Sequence, residues 1–129
     1  MQAWQFDEYG HYDKVLKWVE RPSPKVGDGE ALIETVAVSL NFPDLLITQG
    51  LYQNKAPLPA VPGVEAVGKV VEVGRGSKFK LGERAVGFMH RGGTLADYFI
   101  AANDSAWPVP AHVSDIQAAA LSVTYGTSY

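Results

Sequence analysis

A chain of 129 residues and 14.0 kDa has room for one ordinary domain and none to spare for a second. Its 47% hydrophobic and 11% aromatic content can fill a core, which excludes a disordered chain. With 11 Lys and Arg against 14 Asp and Glu the formal charge is -3, and the basic residues are scattered, so neither a nucleic-acid nor an anionic-lipid footprint is present.

The N-terminal Met1-Gln2-Ala3-Trp4-Gln5-Phe6 lacks the basic and apolar regions of a signal peptide and reads as a strand. Leu16 to Glu20 is a second strand. Ala31 to Leu40 is a third, alternating through Leu32, Glu34, Val36 and Val38; Glu34 interrupts it, and it is far short of the ~18 apolar residues of a membrane span. Asn41-Phe42-Pro43-Asp44 through Gly50 fits a helix of one or two turns, with Pro in the first turn, Asp44 near the positive end and Gly50 as the stop. Val64 to Val73 (alternating through Val67, Lys69, Val71 and Val73), Arg84 to Phe88 and Leu95 to Ala101 complete six predicted strands, separated by glycine and proline. Ser114-Asp115-Ile116-Gln117 is a capping box that starts a helix at Asp115. Val123 to Tyr129 then reads as the unterminated opening of another element, so the chain is expected to be part of a longer protein. The pattern as a whole predicts a mainly β barrel or sandwich.

Several chemistries are absent. There is no Cys, which removes disulfides, thiolate nucleophiles and Cys-based zinc sites and leaves a cytoplasmic protein as the expectation. Gly27-Asp28-Gly29 and Gly74-Arg75-Gly76 lack the third glycine and the following helix of a dinucleotide fingerprint, and read as turns. His11, His90 and His112 show no metal-ligand spacing, and Gly-x-Ser-x-Gly does not occur. The segment Ser39 to Asp44 stands apart. A strand ending in Asn41 and entering a helix puts an amide and the Asp44 carboxylate at one helix N-terminus, where backbone N–H groups converge; helix capping alone also accounts for the pair. Tyr52, just past the Gly50 stop, either turns its phenol over that helix or simply packs.

Gly63-Val64-Glu65-Ala66-Val67-Gly68-Lys69-Val70-Val71-Glu72-Val73-Gly74, with Phe79-Lys80-Leu81-Gly82-Glu83-Arg84-Ala85-Val86, resembles the signature of the medium-chain dehydrogenase/reductase superfamily. Asn41-Phe42-Pro43-Asp44, Gly50-Leu51-Tyr52 and Thr124-Tyr125-Gly126-Thr127-Ser128-Tyr129 are similar to its NADPH:quinone oxidoreductase (zeta-crystallin-like) branch. The resemblance, over the whole chain, implies a GroES-like catalytic domain, a partly open β-barrel with short helices. It also implies linking helices from about residue 115 and a Rossmann cofactor domain beyond residue 129, outside this chain.

Zinc members of the superfamily have Cys at the position of Asn41, His at that of Val64, and often a four-Cys lobe after that of Phe88; all are missing here. The resemblance therefore implies a metal-free enzyme that delivers hydride from NADPH to an electron-poor quinone, which needs no Lewis acid to stabilise an alkoxide. By resemblance Asn41, Asp44 and Tyr52 are the catalytic residues, and Asn41 and Thr124 contact the cofactor, which is bound mainly by the absent domain. Tyr52 would donate to the developing oxyanion, since a phenol of pKa about 10 is a donor near neutral pH. An aromatic common between Asp44 and Gly50 in the branch is Leu46 here. The implied partner is a small quinone or enone, and the implied full-length form a homodimer. Two alternatives stand: reduction of the C=C bond of an enone or an enoyl or acryloyl thioester, and a non-enzymatic GroES-like binding module.

Overall fold

The computed structural model describes residues 1–53 and 55–120. β1 (Gln2–Gln5) and β2 (Lys17–Glu20) form a two-stranded antiparallel sheet, with the rings of Trp4 and Trp18 edge to face at 5.4 Å. Between them lies α1 (Tyr12–Val15), a single turn too short to leave a periodic signature. His11 starts it by accepting from the Asp13 N–H at 3.4 Å, and its ring also pairs with the Asp13 carboxylate, an acidic partner that ligand spacing passes over.

β3 (Glu30–Ser39), α2 (Phe42–Gln49), β4 (Glu65–Val73), β5 (Arg84–Phe88), β6 (Tyr98–Ala102) and β7 (Ala106–Pro108) follow. The five strands make one antiparallel sheet in the order β6-β3-β4-β5-β7. The sheet curls on itself: Ala85 on β5 and Phe99 and Ala101 on β6 share a core with Ile33, Val70 and Phe79. The fold is thus mainly β, a partly open barrel with short helices, as expected. β7 is an addition. It is three residues long and ends on Pro108, a composition that an edge strand tolerates and a sequence pattern does not reveal.

The alternation in β3 is real, but its inward face is the other one. Ala31 and Ile33 are buried, whereas Glu34 and Val36 are exposed. Register shifts between Leu32 and Ile33 and between Thr35 and Ala37 reset the parity, and Val38 returns to the core side. In β4, Val70 is inside while Lys69, Val71 and Val73 are exposed. The Phe79-Lys80-Leu81-Gly82 turn contributes Phe79 as a buried plug, which explains an aromatic in an otherwise polar connection.

A second core joins β1 to α2. Phe6, Val15, Ile47, Ala60 and Val64 are buried together, with Tyr52 and Phe88 packed against them. The first strand is tied in over long sequence distances. Phe6 and Ala60 exchange main-chain hydrogen bonds at 2.8 and 3.0 Å, and the Trp4 N–H donates to Leu95 O at 3.0 Å.

At the far end residues 115–120 are helical, and the capping box predicted there is formed: the Ser114 N–H donates to Gln117 Oε1 at 3.1 Å and the Gln117 N–H to Ser114 Oγ at 3.2 Å. Ala118 and Ala119 pack on Val67. Arg84 fastens this helix to β5 through Asp115 Oδ1 (2.7 Å), Val113 O (2.7 Å) and Pro110 O (3.0 Å). The rest of the linking-helix expectation lies outside the described residues.

Candidate functional site

β3 ends at Ser39 and the chain turns into α2 through Asn41, which has the extended backbone of an N-cap, φ -131° and ψ 159°. Pro43 suits the first turn because its missing N–H has no intrahelical role there. Gly50 ends the helix at φ 71°, a left-handed geometry in which a Cβ would stand 2.9 Å from Tyr9 Cγ. These local signals put Asn41 and Asp44 side by side. The Asn41 N–H donates to Asp44 Oδ2 at 2.8 Å, and the Asp44 N–H donates to Asn41 O at 3.0 Å.

Asp44 is buried, and Gly63 explains how it is received. With φ +101° and no room for a Cβ, which would stand 2.3 Å from Thr94 Oγ1, Gly63 lets its own N–H and that of Val64 turn toward the carboxylate. Burial raises the Asp44 pKa above its ordinary 3.8; the N–H groups of Asn41, Val64 and Gly63 oppose the rise, and the charge of Glu65 adds to it.

Glu65 is the residue that the sequence reading missed. It is fully buried at the start of β4, and Asn41 Nδ2 lies 3.3 Å from its Oε2 and 3.3 Å from Ser39 O. An acidic residue among Val64, Ala66 and Val67 was the available signal, since a carboxylate is kept in an apolar strand only with partners.

Tyr52 sits half-buried against the second core, just past the C-terminal end of α2, and its hydroxyl makes no hydrogen bond among the described residues. The structure therefore joins Asn41 to Asp44 directly at the start of α2 and places Tyr52 past its other end, without a bond to either. Thr124 lies outside the described residues. Val64, at the position of a zinc-ligand His in other members, is a buried core residue. Among the described residues no three His, Asp or Glu side chains are gathered as a metal site. The neighbours of Asn41, Leu40 and Phe42, are exposed at 74% and 69%, and Leu51, past the C-terminal end of α2, at 68%. A separate cavity of about 420 Å³, with Arg21, Pro57, Met89, Arg91 and Phe99 in its walls, has none of Asn41, Asp44 and Tyr52 in its lining.

Comparison with known proteins identifies the family of the domain. Residues 27–111 match the alcohol dehydrogenase GroES-like domain. The quinone oxidoreductase-like protein 2 homolog of Nematostella vectensis is 37% identical over 105 residues, which are 81% of this chain and 29% of that protein. Among solved structures, the human synaptic vesicle membrane protein VAT-1 homolog-like protein superposes with a TM-score of 0.91 at 30% identity, over 100% of this chain and 41% of that one. The Escherichia coli quinone oxidoreductase complexed with NADPH gives a TM-score of 0.84 at 33% identity, over 94% of this chain and 37% of that one. This chain thus spans well under half the length of each of these proteins. It belongs to the alcohol dehydrogenase GroES-like domain family, in the quinone oxidoreductase branch of the medium-chain dehydrogenase/reductase superfamily.

Proposed function

We propose that this chain is the acceptor-side domain of an NADPH-dependent oxidoreductase that reduces quinones without a catalytic metal ion, completed by a cofactor-binding domain. The observation that carries the reading is the junction of β3 and α2. There an amide and a carboxylate stand at a helix N-terminus between the exposed Leu40 and Phe42, where zinc members of the superfamily hold a metal ligand. Kinship to quinone oxidoreductases, one of them solved with NADPH, supports the same substrate and cofactor.

The residues present fit a nicotinamide riboside. Asn41 offers a polar partner for a hydroxyl group, with the buried Asp44 carboxylate fixing its backbone, and the exposed Leu40 and Phe42 on either side of Asn41 offer an apolar surface that a planar ring and a second domain would cover. When bound, the cofactor supplies a hydride. The chain's own residues then have three tasks. Asn41, its backbone fixed by Asp44, holds the ligand in a reactive position. Leu40 and Phe42, once covered by the ligand and the second domain, exclude water and so strengthen the electrostatic contacts beneath them. Tyr52 donates a hydrogen bond to the developing oxyanion.

The first measurement is the intact mass of the protein in its source cells, followed by NADPH consumption with benzoquinone, an enone or an enoyl thioester, with and without a chelator. A mass near ~35 kDa, a two-domain length, together with chelator-insensitive turnover of quinone supports the proposal. Turnover of the enone or thioester alone moves the reaction to C=C reduction. A protein of 14.0 kDa that binds no NADPH would be a binding module instead.

A further inference from the structure

Glu65 is fully buried and lies opposite Phe88 across β4 and β5. A carboxylate removed from water persists only where donors face it, and the Asn41 amide is one of them. That amide carries two N–H donors and one carbonyl acceptor. Acceptors stand at 3.3 Å from Nδ2 on two sides, Glu65 Oε2 and Ser39 O. Turning the amide over would press Oδ1 against a carboxylate oxygen and a carbonyl oxygen in a site with little water to screen them. The orientation is therefore set by its neighbours.

We propose that Glu65 is a positioning residue: it locks the Asn41 amide with its NH2 group turned inward, so that Oδ1, whose one side faces the Asp44 N–H in the capping box, is the only part of the amide left to a ligand, an acceptor and no donor. Asn41 then selects a hydroxyl or N–H of the bound molecule, such as a sugar hydroxyl, and takes no part in stabilising an oxyanion, which is left to Tyr52. The identity of that ligand rests on the function proposed above; the lock on the amide does not.

The test has two arms that separate these claims. In the first, the Asn41 side-chain amide is followed by ¹H-¹⁵N NMR in this chain and in Glu65→Gln. A proton bonded to a carboxylate resonates downfield, and it should move upfield with the neutral acceptor while main-chain signals away from β3, α2 and β4 stay in place. An Asn41 amide signal that does not respond to Glu65→Gln overturns the lock. The second arm uses NADPH and benzoquinone with the full-length protein. Asn41→Asp, which sets a carboxylate against Glu65, should lower kcat/KM about a hundred-fold. Combining Asn41→Asp with Glu65→Gln moves the donor to the other partner and keeps an acceptor toward the ligand, so it should regain about ten-fold of that loss. A double variant as inactive as Asn41→Asp would show that the amide acts as a donor and would overturn the acceptor assignment. If the unaltered protein turns over no quinone, the proposed reaction fails, and the NMR arm alone decides the lock.

Discussion

Replacing Arg84 by Met keeps the length and apolar stem of the side chain and removes its guanidinium, which fastens the C-terminal helix to β5. Three hydrogen bonds are lost, at 2.7, 2.7 and 3.0 Å, from Asp115, Val113 and Pro110. The Arg84 and Asp115 side chains are 31% and 37% exposed, so their ion pair is partly screened and contributes about 0.5 to 1 kcal/mol. The two carbonyl bonds add about 0.5 to 1 kcal/mol each, because water replaces the lost donor only in part. The expected destabilisation is about 2 kcal/mol, read in urea unfolding as a midpoint lower by roughly 1 M at unchanged slope. Asp115→Ala alone should cost about 1 kcal/mol, as it also removes an acid from the helix's first turn. The double-mutant cycle should show a coupling of about 0.5 to 1 kcal/mol. A loss below about 0.5 kcal/mol for Arg84→Met, or zero coupling, would refute the view that this side chain holds the helix in place.

Asp44 gives a pH prediction. Its folded-state pKa lies above the ordinary 3.8, so the folded protein binds the extra proton more readily than the unfolded chain does, and stability falls as pH rises from about 3.8 through the raised value. Asp44→Asn, which keeps an acceptor for the Asn41 N–H, should lose that dependence; denaturant titrations of both proteins across this window check it, and parallel curves would contradict the sign. In the full-length protein Asn41→Ala and Tyr52→Phe should each lower kcat/KM by ten- to a hundred-fold, and Tyr52→Phe, whose hydroxyl bonds nothing among the described residues, should leave the thermal midpoint unchanged. Gly50→Ala combines a left-handed backbone with a Cβ 2.9 Å from the Tyr9 ring, and should destabilise by about 1 to 2 kcal/mol in the same unfolding assay.

What could be read from the sequence follows the range of the forces involved. The Ser114–Gln117 capping box and the start and stop of α2 depend on residues within one or two turns, so local rules found them. The strands were visible as β-branched runs, but their inward faces were not, because each bulge in β3 shifts the parity by one residue and leaves no mark on composition. Asn41 and Asp44 were found together as N-cap and third helical residue. Glu65, twenty-four positions from Asn41, meets it only once β3 and β4 are paired. Whether Tyr52 packs or points into a site is likewise decided by the second core, which draws on five separate stretches of chain.

The manner in which β1 is tied down has a consequence for how the molecule is made. Its neighbour β2 is available early in synthesis, but the Trp4 N–H waits for Leu95, and Gln2 and Asp97 meet through the Gln2 N–H to Asp97 Oδ2 at 2.8 Å and the Asp97 N–H to Gln2 O at 3.0 Å. Phe6 is buried by α2 and by the segment around Ala60. A nascent chain therefore carries β1 with its outer main-chain edge unpaired until nearly a hundred residues have left the ribosome. Such late, long-range closure slows folding and prolongs the interval in which a chaperone can bind the first twenty residues.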